Sequence, residues 1–164
     1  MTAPTWILVA DAAGARIFAW SRSDRSFLRI EEIDNPRGRL PGRDLVSDGP
    51  GRRAGHPMET GGSITQAQDY RALEESAFAR RLAARIEESA LKGEFGTLAV
   101  VAPPAFLGRL RKAWGPHTEP LVADEVAGEF TGVSEAAMAD RLHRHLRWLD
   151  PEPPPRILVG TPRP

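Results

Sequence analysis

Residues 5–20 read TWILVADAAGARIFAW, and the reading of this stretch decides the fold. TWILVA (5–10) is a short apolar run with β-branched and aromatic members, which predicts a buried strand. Asp11-Ala-Ala-Gly14 supplies turn chemistry, because an Asp side chain bonds its own backbone and Gly tolerates a tight turn. ARIFAW (15–20) then reads as the returning strand of a hairpin. After a polar turn at 21–26, Phe27 to Ile33 alternates imperfectly with period two, which suits a third antiparallel strand with one wet face. The three make a meander.

Downstream of the meander the period changes. Tyr70, Leu73, Ala77, Phe78, Leu82, Ile86 and Ala90 recur at spacings of three and four, predicting a long amphipathic helix from Thr65 to Lys92 with Gly93 as its stop. Glu88 and Lys92 stand at the favourable i,i+4 spacing. TLAVVA (97–102) is continuously apolar, as expected of a strand covered on both faces. Pro103 and Pro104 follow where Pro is tolerated, in the first turn of a helix that turns Phe106, Leu107, Leu110 and Trp114 inward and Arg109, Arg111 and Lys112 outward. Glu119 to Val126 is a weaker strand, and Ser134 can cap a last helix with Met138, Leu142, Leu146 and Leu149 close to one face. The order β-β-β-α-β-α-β-α predicts an α/β fold. Its core is an RNase H-like five-stranded mixed sheet, an antiparallel meander plus two crossover strands, covered by about three helices. Residues 1–149 are read as a single domain and 150–164 as a Pro-rich tail.

Between meander and long helix lies NPRGRLPGRDLVSDGPGRRAGHPMETGGS (35–63), in which 11 of 29 residues are Gly or Pro. Regular helix or central strand is excluded there, and so long a loop in a compact domain is uncommon. Arg37, Arg39, Arg43, Arg52 and Arg53 outnumber Asp44, Asp48 and Glu59. Gly61-Gly62, just before the predicted helix, would turn backbone amides toward negative charge, and the arginines suit phosphates. A mobile, mixed-charge surface loop is the blander reading of the same residues.

Composition limits the chemistry. The chain has 164 residues, no Cys, and equal numbers of acidic and basic side chains, 22 of each. Disulfides, thiolate catalysis and Cys-ligated metal sites are excluded, no whole-molecule field draws it to nucleic acid, and no cofactor is implied. No stretch approaches the roughly 20 apolar residues of a membrane span. The first apolar run has no basic residue before it and is broken by Asp11, making it a poor signal peptide; a cytoplasmic protein is expected. A two-metal nuclease would need carboxylates such as Asp11, Glu74 and Glu75 to converge, but strand 97–102 ends in Ala-Pro-Pro, and Asp11 is more simply a turn residue. His143 and His145, two apart on a helix, cannot chelate one metal and read as a solvated face. His56 and His117 stand isolated, and no GxSxG-type motif supports a hydrolytic triad.

WILVADAAGARIF, the Gly-rich segment with its Gly-Gly, the long charged helix, and LAVVAPPAFLGRLRKAW together resemble the bacterial host-attachment protein family. Members of that family are described as required for attachment to host cells. The same order is similar to the middle domain of archaeal and eukaryotic class I peptide-chain release factors, over about Trp6 to Trp114. There a basic loop carrying Gly-Gly-Gln leads into the long helix. The resemblance implies a release-factor-like protein associated with the ribosome or tRNA, acting in translation quality control or rescue, with Arg37, Arg39, Arg43, Arg52 and Arg53 as RNA contacts. Gly61 and Gly62 match the two glycines of the motif, and Ser63 stands where its glutamine would be. That replacement leaves peptidyl-tRNA ester hydrolysis at Gly61-Gly62-Ser63 open. The alternative is an interaction protein affecting host attachment indirectly, without catalysis. Self-association is compatible with either.

Overall fold

The computed structural model describes residues 3–40, 60–130 and 132–149, with only the backbone course of 60–64. Three strands form the expected meander: β1 (Thr5–Asp11), β2 (Gly14–Ser21) and β3 (Ser26–Asp34). Helix α1 (Thr60–Leu91) leads to β4 (Thr97–Ala102), α2 (Pro104–Ala113), β5 (Val122–Ala127) and α3 (Glu135–His145). The sheet order is β3-β2-β1-β4-β5, with β2 antiparallel to β1 and β3, and β4 parallel to β1 and β5. This is the expected RNase H-like mixed sheet.

Side-chain alternation sorts the central strands between two layers. Trp6, Leu8 and Ala10 of β1 and Leu98, Val100 and Ala102 of β4 pack with Phe78, Leu82 and Ile86 of α1 and Phe106, Leu107 and Leu110 of α2. Ile7, Val9, Ala99 and Val101 face the other way, against Met138 and Leu142 of α3 and Leu146 and Leu149 beyond it. Both faces of β1 and β4 are therefore dry, which is why their sequences run apolar without alternation.

Several boundaries move. The last strand starts at Val122 rather than Glu119, because Glu119–Leu121 forms a short 3₁₀ turn. Pro36–Arg39 is another 3₁₀ turn, and α1 begins at Thr60, so the segment expected to be loop over 35–63 is structured at both ends. At 32 residues α1 spans on the order of 50 Å. Leu73, expected on its buried face, is 64% exposed. Among the described side chains of the helix, full burial begins at Phe78. Gly93 closes the helix with φ +67, the left-handed stop its position implied.

Candidate functional site

The best-defined polar arrangement lies where the β1–β2 turn, the end of β3 and α1 meet. Asp11 Oδ1 accepts from the amides of Ala13 (2.7 Å) and Gly14 (3.1 Å), the turn role its sequence context implied. Across this turn lies Asn35, only 2% exposed. Its amide donates to Ala13 O (2.8 Å), its Nδ2 donates to Ala12 O (2.7 Å), and its Oδ1 accepts from Arg81 of α1 (2.9 Å). A buried carboxamide with donor and acceptor sides both satisfied ties three elements together. Gly38 completes the latch: a Cβ there would stand 1.7 Å from Ala12 O. Neither Asn35 nor Gly38 was singled out by sequence, because the partner that demands each lies over 20 residues away.

The expected RNA-contact residues fall into two groups. Arg37 Nε pairs with Glu74 Oε2 of α1 at 3.1 Å, and Arg39 pairs with Asp34. Both thus hold carboxylate partners within the chain, which weakens them as phosphate ligands. Arg43, Arg52 and Arg53 lie outside the described residues, as does His56. Gly61, Gly62 and Ser63 sit in the first turn of α1, not in a turn ahead of it. The backbone there is helical, so the glycines serve no sharp turn. The first-turn amides nevertheless lack intrahelical acceptors, as at any helix start.

A cleft of about 380 Å³ opens beside the latch, lined by Asp11, Arg16, Glu32, Asp34, Arg39 and Gly132 among others. Its charges are largely matched: Arg16 reaches Glu32 at 3.8 Å and the Val133 carbonyl at 3.1 Å. Glu74 and Glu75 are held by Arg37 and Arg109, the latter at 3.2 Å, so Arg109 braces α2 on α1 instead of pointing to solvent. No group of three or more His, Asp or Glu side chains lies together in metal-binding fashion among the described residues.

His117 is not isolated. Glu87 of α1 accepts from the His117 amide (2.9 Å), the Thr118 amide (2.9 Å) and Thr118 Oγ1 (2.7 Å), and lies 2.6 Å from His117 Nδ1. Partial burial pushes its carboxyl up, but hydrogen bonds from Thr118 and His117 outweigh this and lower it from 4.5 to about 2. His143 likewise departs from a solvated face: its ring meets Trp20 edge-on at 5.1 Å and Phe27 at 5.0 Å.

The family model described as protein required for attachment to host cells matches residues 6–142, and the chain belongs to that family. No curated protein matches it. Among solved structures it is similar to an archaeal protein (13% identity, TM-score 0.43) and to an archaeal translation termination factor, aRF1 (10% identity, TM-score 0.43). Each alignment covers 88% of this chain but only 38% and 39% of those longer chains. No helix among the described residues is long and apolar enough to cross a membrane.

Proposed function

We propose that this chain is a ribosome- or tRNA-associated protein of its family, acting in translation quality control or rescue through the segment between Leu40 and α1. In this reading residues 1–149 work as one domain and 150–164 as a tail. The observation that carries it is the latch, in which Asn35, Gly38 and Arg81 root one end of that segment on the sheet while α1 receives the other. A contact segment rooted at both ends loses less entropy on binding than a free one. Arg37 and Arg39 serve the root through Glu74 and Asp34, so the phosphate contacts fall to Arg43, Arg52 and Arg53. The amides of Gly61 and Gly62, in the first turn of α1, add donors suited to an anion. The role is binding; Ser63 in place of glutamine gives no basis for assigning ester hydrolysis.

Co-sedimentation with ribosomes across a salt series tests this. Pelleting at low salt that falls steeply as salt rises is expected, and Arg52→Ala with Arg53→Ala should release the protein at lower salt than wild type. Failure to pellet at low salt would overturn the reading. Family membership favours a second reading, an interaction protein that affects host attachment indirectly and without catalysis. Cell fractionation separates the two, since recovery at the cell surface and not with ribosomes selects the second.

A further inference from the structure

Several arginines of the α1–α2 layer are matched by carboxylates: Arg85 by Glu31 (2.9 Å), Arg109 by Glu75 (3.2 Å) and Arg111 by Glu125 (2.5 Å). The segment from α3 to Leu149 is different. Among the described residues, Arg144 reaches only the Asp140 carbonyl, at 3.4 Å, and Arg141 lies over the Phe130 ring at 5.5 Å. Among the described residues, neither Arg147 nor Arg22, in the β2–β3 turn, has a carboxylate within ion-pair distance. Segments 21–26 and 135–149 together carry five arginines against Asp24, Glu135 and Asp140. Glu135 is already engaged by Arg29 at 3.1 Å, and Asp24 by Ser21 at 3.1 Å.

An exposed aromatic shares a cleft with Arg22 and follows Arg147 in the chain. Trp148 is 39% exposed, and its Nε1 donates to Asp124 Oδ2 at 2.9 Å, which fixes the indole by its edge and leaves the ring face free of that bond. Trp148, Arg22, Trp20, Pro4 and Thr97 line one cleft of about 470 Å³ at the amino-terminal ends of β1 and β4. The latch lies at the other end of β1, roughly 20 Å away at the usual rise per strand residue.

We propose that this face binds single-stranded RNA, with a base stacked on Trp148 and phosphates held by Arg22, Arg144 and Arg147. A held indole with unmatched guanidinium groups beside it is the combination that takes up a strand without reading its sequence. An acidic peptide would engage the arginines but leave the flat aromatic surface without a flat partner. The site is separate from the segment assigned above and stands or falls independently of it.

The test is anisotropy of a short fluorescein-labelled oligouridylate with the full chain at low salt. Trp148→Ala should weaken binding roughly tenfold, and Trp148→Phe should restore most of it. Arg22→Glu and Arg147→Glu should each weaken binding and reduce the salt slope by about 0.7 for each phosphate left without its arginine. Arg80→Glu, an equal charge change on the exposed side of α1, should have little effect. Arg22 lies in an exposed turn, so its variant reports even if Trp148→Ala disturbs the packing around Leu149. Absence of binding at low salt, binding indifferent to both Arg22→Glu and Arg147→Glu, or tighter binding of an oligoglutamate peptide than of the oligouridylate would each overturn the proposal.

Discussion

Glu87 and Gly38 are single residues whose roles their neighbours in sequence do not announce. Glu87 reaches across from α1 to close the turn at Gly115–Thr118, and a Cβ on Gly115 would lie 2.3 Å from its Cδ. Because the folded carboxyl sits at about 2 and not 4.5, its stabilising contribution is complete above pH 4.5 and is lost as pH falls toward 2. Glu87→Gln should therefore lower the unfolding temperature at neutral pH. It should also flatten the fall in stability through that acid window, so that variant and wild type converge near its lower end in thermal melts at stepped pH. Gly38→Ala drives a methyl into the Ala12 carbonyl, and the forced shift should cost about 3 kcal/mol in urea unfolding. A smaller loss would mean that the root of the segment gives way easily.

Among the elements, α1 departs furthest from expectation. Its periodicity from Tyr70 to Ala90 was legible, and so was its stop at Gly93, because both are local. Its start was not, since Gly61-Gly62 reads as a turn and the helix nevertheless continues through them. Gly62→Ala tests this directly. If Gly62 is helical, Ala should raise stability by about 0.5 kcal/mol, and a peptidyl-tRNA release assay should not distinguish the two proteins. A loss of stability would return Gly62 to a turn. At α3 the local signal is sufficient, for Ser134 Oγ accepts from the Ala137 amide at 3.3 Å, the cap its position implied.

For the whole molecule, stability rests on two central strands, β1 and β4, that are dry on both sides. Leu82 is 1% exposed in the α1 layer, and Leu82→Ala should cost about 3 kcal/mol, read as an earlier cooperative transition in denaturant. The same cost spread over only part of the transition would show that the α1–α2 layer unfolds separately from the α3 layer. The sequence by itself determined the elements and their order. Continuous apolar runs in β1 and β4, a helical period in α1 and Pro-Pro before α2 are imprints of local geometry and of burial on one face or two. Only the tertiary structure decided which charges are matched. Arg37 and Arg39 looked available within their own segment but meet Glu74 and Asp34, whereas Arg22, Arg144 and Arg147 looked unremarkable and have no carboxylate against them among the described residues. An ion pair depends on where distant backbones bring two side chains, and nothing in the local spacing of residues records that.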